Sequence, residues 1–120
     1  MAVGSGYRGS DFYCDVAIHH IDQLDVVHDD ARVLAYHHTK PFWPVHVVVV
    51  PKRHIESLLT ATGEDAVDIA AVLSVVQRIA TDVERDHGAA RVLTNVGRYQ
   101  DSKHLHVHVA AGRPREIDPD

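Results

Sequence analysis

Apolar and polar residues are not mixed evenly along this chain. Two short β-prone runs, 24–29 (LDVVHD) and 32–38 (RVLAYHH), are separated only by Asp30 and Ala31, which predicts two antiparallel strands joined by a tight turn. Residues 45–50 (VHVVVV) are almost continuously apolar. Pro44 and Pro51 bracket them, and because proline has no N–H to give a ladder, the segment predicts a buried central strand. Between 64 and 87 the period changes. Ile69, Val72, Leu73, Val76, Ile79, Ala80 and Val83 recur every three or four positions, which lines them along one face of a helix able to cover a sheet. Thr62 and Asp65 form a capping-box pattern ahead of it, and Gly88 supplies a left-handed residue to end it. A period of two returns in 91–96 (RVLTNV) and 104–109 (HLHVHV), joined by the polar loop 97–103. Residues 54–59 (HIESLL) predict one or two further helical turns.

About five strands, one long helix and one short helix predict an α+β fold on an antiparallel sheet rather than a parallel doubly wound one. Residues 1–10 show neither period and are expected to form a loose arm, with 11–113 as the domain and 114–120 as a tail.

At 120 residues the chain is one domain in size, and 45% apolar with 24% charged residues is an ordinary globular mixture that excludes disorder and low complexity. Twelve Lys and Arg against seventeen Asp and Glu leave a net charge of −5. That argues against nucleic acid or an anionic membrane as a partner, so any phosphate binding must be local. No apolar run reaches the roughly 18 to 20 residues of a membrane span, and a cytoplasmic protein is expected. The single cysteine, Cys14, excludes an internal disulfide and a multi-cysteine zinc cluster. What stands out is eleven histidines. His19, His20, His28 and His87 read as surface residues.

The strongest chemical signal is residues 104–109. On a strand, successive side chains point to opposite faces, so His104, His106 and His108 share one face while Leu105, Val107 and Val109 share the other. Neighbouring imidazoles start about 7 Å apart, a span one phosphate group can bridge. Two chemistries fit: a zinc site, because His-x-His on a strand suits that metal, or nucleophilic attack on phosphorus by a neutral imidazole.

The run HLHVHVAA (104–111) resembles the signature of the HIT (histidine triad) nucleotide hydrolases and transferases. The likeness extends to 32–55, RVLAYHHTKPFWPVHVVVVPKRHI, and to Asn95 and Gly97 as an Asn-x-Gly pair. The resemblance implies a nucleotide substrate, no required cofactor and a homodimer. It implies that His106 attacks an α-phosphorus to form a nucleotidyl-histidine that water hydrolyses, with a backbone carbonyl holding the proton on its other ring nitrogen. His108 would donate to a non-bridging oxygen, His104 and His46 would support the triad, Asn95 would contact phosphate and Gln100 would lie near the leaving group. Phe12, Tyr13, Val16, Tyr36 and Thr39 would line the base pocket. Lys52, Arg53 and His54 form a basic cluster that reads either as a solvated loop or as a phosphate attractor.

Two departures bear on substrate. His38 stands where many members carry an Asp that binds both ribose hydroxyls, and Asp101 stands where a Ser usually follows the Gln. Some bacterial relatives hold structural zinc through Cys-x-x-Cys plus the histidines matching His46 and His104. Here the first cysteine is Asp11, so Asp11, Cys14, His46 and His104 are the expected set if zinc is bound.

Overall fold

Five strands form one antiparallel sheet in the computed structural model of the chain, which describes Gly9 and residues 11–114. The expected arm 1–10 and tail 114–120 lie, apart from Gly9 and Pro114, outside the described residues. In chain order the elements are α1 (Phe12–Asp15), a 3-10 segment Ala17–Gln23, β1 (Val26–Asp29), β2 (Val33–His37), β3 (Val45–Pro51), α2 (Ala66–His87), β4 (Arg91–Leu93) and β5 (Val107–Ala111). Their order across the sheet is β1-β2-β3-β5-β4, so β5 is inserted between β3 and the edge strand β4.

Local chemistry explains most of these boundaries. Asp30 turns the β1–β2 hairpin by accepting the backbone N–H groups of Arg32 and Val33, each at 2.8 Å. Thr62 and Asp65 make the capping box at the single 3-10 turn that leads into α2, and Gly88 ends the helix at φ 82. Arg53 pairs with both Asp65 and Asp68, tying the chain that leaves β3 to the start of α2.

Alternation along the strands divides the core in two. Val33, Ala35, Val47, Val49, Val107 and Val109 pack against Val72, Val75, Val76, Ile79 and Val83 of α2. Each valine buried this way contributes about 1.5 to 3 kcal/mol relative to exposure. On the other face, Leu34, Tyr36, Val48 and Val50 are covered by Tyr13 and Ala17 from the N-terminal segment. The candidate site lies on this second face.

Four expectations are corrected. Leu73 is 56% exposed and Val75 is buried instead, because the face that meets the sheet is rotated from the one read in sequence. Residues 54–59 form no helix; they run as a loop held by the carbonyls of Ile55 and Glu56, which accept from the Leu105 N–H and the Gln100 amide. The short helix is α1 instead, in a segment with no clear periodicity. Finally, β4 stops at Leu93, and β5 starts at Val107 rather than at His104.

Candidate functional site

The triad keeps its shared face although only His108 lies within β5. Leu105 is pinned from outside the sheet by its N–H to the Ile55 carbonyl at 2.6 Å, and the Thr94 hydroxyl donates to the His106 carbonyl at 2.8 Å. The chain leading into β5 is therefore held extended without a ladder. Leu105, Val107 and Val109 turn toward α2, and on the other face His104 and His106 meet Tyr13 while His108 meets His46. The rings of His106 and His108 are 5.0 Å apart, and Tyr13 lies 4.9 Å from His106.

A cavity of about 730 Å³ opens over this face, a volume suited to a small-molecule ligand. It collects Tyr13, Tyr36, His38, His46, Asn95, His106 and His108 among the expected site residues, with Phe12 and Thr39 from the expected base pocket. Three expected residues, His104, Gln100 and Val16, are not among those lining it. Gln100 is buried and spends its amide N–H on the Glu56 carbonyl at 2.7 Å, which makes it a tie between loops. The cavity also gathers Lys40, Phe42, Trp43, Leu93, Tyr99, Asp101 and Ser102. Of these, Phe42 and Trp43 could have been flagged as an aromatic pair in the Pro41–Pro44 turn that leads into β3.

Hydrogen bonds fix where each ring carries its proton. His106 is buried, which holds its pKa below the usual histidine value, so it is neutral near pH 7. Its Nδ1–H donates to the His104 carbonyl at 2.7 Å, which leaves the Nε2 lone pair as the free one. His46 receives the Phe42 backbone N–H on Nδ1 at 2.9 Å. It must therefore carry its proton on Nε2, 2.8 Å from Nδ1 of His108. That proton occupies the His108 acceptor and leaves His108 with an outward Nε2–H. Burial and the neighbouring histidines hold His46 to about 4 and His108 to about 3, so this chain of neutral rings persists at pH 7. A lone pair and a donor thus stand side by side on adjacent rings.

His104 is fully buried and belongs to a different cluster. Its Nε2–H donates to the Pro51 carbonyl at 2.6 Å, and its Nδ1 lies 3.1 Å from Oδ2 of Asp11 and 3.2 Å from Sγ of Cys14. Nδ1 of His54 lies 2.5 Å from the same Asp11 oxygen and 3.7 Å from Sγ. These four donor atoms all lie within 4.8 Å of one another. A tetrahedral zinc ion with bonds of about 2.0 to 2.3 Å needs donors roughly 3.5 Å apart, so small adjustments would admit one. His54 takes the place expected for His46. The reason is topological: His46 points at His108 from within β3, whereas His54 follows the strand's end and reaches the start of the triad. Burial and Asp11 raise the Cys14 thiol to about 11, so a metal would have to displace its proton.

A second group, His38, His46 and His108, also brings ligand atoms within 4.8 Å of one another. Its chemistry does not fit a metal. The Lys40 N–H occupies Nδ1 of His38, the Phe42 N–H occupies Nδ1 of His46, and the remaining nitrogens of both carry protons.

The sequence model of the HIT domain matches residues 21–115. An uncharacterized HIT-like protein of Synechococcus elongatus is 36% identical over 90 residues, covering 74% of this chain and 79% of that protein. Among solved structures, a HIT family hydrolase of Legionella pneumophila superposes with a TM-score of 0.74 at 26% identity, covering 92% of this chain and 99% of that one. A histidine triad protein of Clostridium difficile gives 0.72 at 32% identity, covering 88% and 93%. No helix among the described residues is long and apolar enough to cross a membrane. With the triad on one face, five antiparallel strands beneath it and these matches over most of its length, the chain belongs to the HIT family.

Proposed function

We propose that the chain is a nucleotide hydrolase or nucleotidyl transferase that acts at an α-phosphate through a covalent histidine intermediate. The observation that carries this reading is the pairing of a free Nε2 lone pair on His106 with an Nε2–H on His108, both set by hydrogen bonds behind them. In the first step His106 Nε2 attacks phosphorus, a P–N bond to the ring forms, and the bond to the leaving group breaks. His108 donates to a non-bridging oxygen, where charge builds in the trigonal-bipyramidal transition state. In the second step water or an acceptor alcohol attacks phosphorus, the bond to His106 breaks, and the neutral ring is restored. Asn95 lines the same cavity, within the phosphate's neighbourhood.

If a metal is bound, Asp11, Cys14, His54 and His104 would hold it as a structural clamp between α1, the loop after β3 and the triad. The chemistry above uses none of its coordination positions.

Two protomers are expected to pair along the edge strand β4. Beside that edge, Leu58, Leu73 and Val92 are at least half exposed around a shallow apolar groove, an arrangement that a second copy would cover.

The deciding experiment supplies α-labelled adenosine and guanosine phosphoramidates and diadenosine polyphosphates, with and without chelator, and looks for acid-labile label on the protein. Label on the wild type and none on His106→Asn is expected. Tight nucleotide binding with neither label nor turnover across the panel would make the chain a binding module instead.

A further inference from the structure

One wall of the cavity is lined by hydrogen-bond donors, none of which is hydrogen-bonded to a carboxylate among the described residues. His38 holds the Lys40 N–H on Nδ1 at 3.0 Å, and burial keeps the ring to about 4, so its proton sits on Nε2 and it can only donate. It stacks 4.4 Å from His46 and 5.9 Å from His108. Lys40 lines the same wall. Trp43 continues it, 4.9 Å from His46, with its indole N–H buried and without an acceptor among the described residues. The Arg91 guanidinium lies over that ring at 5.4 Å.

A plain ribose suits this wall poorly. Its two vicinal hydroxyls can each donate a proton as well as accept one, and beside His38, Lys40 and Trp43 only their accepting side finds a partner. Asp101 is the one acid among the residues lining the cavity. Its charge reaches Tyr13, His106 and His38 through space. A phosphate ester, by contrast, presents only acceptors and carries charge that Lys40 complements.

We propose that the His38, Lys40 and Trp43 wall binds a second phosphate on the sugar of the substrate. The preferred ligands are then nucleosides that carry a phosphate ester at the 2′ or 3′ oxygen in addition to the reacting 5′-phosphoryl group. This rests on the nucleotide reading above and names the substrate class of the same site. The sugar between the two phosphates would bridge the 5.9 Å that separates the His38 and His108 rings.

Calorimetric titration of the full chain with 5′-AMP, adenosine 2′,5′-bisphosphate and adenosine 3′,5′-bisphosphate tests it. One bisphosphate should bind the wild type about 10-fold or more tighter than AMP, the factor expected for one charge-assisted hydrogen bond. His38→Asp should reverse that order, tightening AMP and weakening the bisphosphates. Lys40→Ala, at a position on an exposed turn that the fold does not depend on, should reduce the bisphosphate advantage with little change in AMP affinity. If AMP binds the wild type as tightly as either bisphosphate, the second-phosphate site is wrong and the nucleotide reading stands. If none of the three binds at millimolar concentration, both fall.

Discussion

Two groups of histidines sit within one small site, and they differ in how their second ring nitrogens are used. In His38 and His46 the inner nitrogen accepts a backbone N–H, so each ring must present a proton on its other side. In His104 the inner nitrogen donates to the Pro51 carbonyl, so Nδ1 is the atom that faces Asp11 and Cys14 and the one a metal held there would use. His106 follows the His104 pattern through the His104 carbonyl and exposes a lone pair. One residue type can therefore offer a proton, or a lone pair suited to a metal or to attack on phosphorus, according to whether its hidden partner is an amide or a carbonyl. Proximity alone would have grouped His38, His46 and His108 as a metal site just as readily as the Asp11 cluster.

The most severe way to break the comparison is to remove the lone pair that the proposed chemistry uses. His106→Asn should lower kcat by about three orders of magnitude or more while the thermal midpoint stays within a few degrees. Turnover near wild type would mean that another group attacks phosphorus. Next in size is the test of ligand competence. Zinc should bind the wild type at one equivalent and release protons as Cys14 ionises, read by calorimetry in buffers of different ionisation enthalpy. Cys14→Ser and His54→Ala should each weaken it by about 100-fold or more, whereas His38→Asn should leave it unchanged. Asp11→Cys should strengthen it, since thiolate is the better zinc donor. Equal loss from His38→Asn would erase the distinction between the clusters.

How much of this was legible beforehand follows from the same contrast. The five strands, the long helix with its caps and the shared face of the triad could be read because they follow from period, proline, glycine and capping residues. The role of His54 could not. Its meaning depends on where the chain goes after β3, and within PKRH it looks like a solvated basic residue. Gln100 differs for the opposite reason: the family resemblance put it near the leaving group, but the loop folds its amide back onto Glu56. Leu73 and Val75 show the limit of helical period, since both lie near the apolar stripe and only docking on the sheet decides which is buried. Hydrogen-bond direction is set at His104 by the Pro51 carbonyl, far away in sequence, and at His38, His46 and His106 by backbone groups two to four residues away whose orientation depends on how the turn folds, and no hydrophobic period reports either.

A milder perturbation concerns the relay behind His108. His46→Leu removes the proton that occupies Nδ1 of His108, so the ring can turn its lone pair toward phosphate. The expected loss is about 10- to 100-fold in kcat, with substrate affinity less affected. His46→Gln can still donate to that nitrogen and should recover part of the rate. If Leu and Gln behave alike, His46 contributes by packing alone.

The smallest expected effect is on stability as a function of pH. His38 and His46 are held to about 4 and His108 to about 3, first by burial, against an ordinary value near 6.5. Between those limits the unfolded chain binds protons that the folded chain refuses, so stability rises with pH through this window. The contribution is complete above about pH 6.5 and declines as acid protonates the unfolded state. It continues to fall until the folded rings also titrate. The buried carboxylates work in a lower window: the Asp65 and Asp68 groups are held below their ordinary 3.8 and lose their contribution only as pH falls past it. The thermal midpoint should therefore drop by several degrees between pH 7.5 and pH 5, before any carboxylate is protonated. Substituting His38→Asn should flatten that slope without abolishing it, because His46 and His108 still resist protonation. A midpoint independent of pH over this interval would show that the rings are charged in the folded protein, and the neutral relay from Phe42 to His108 would then be wrong.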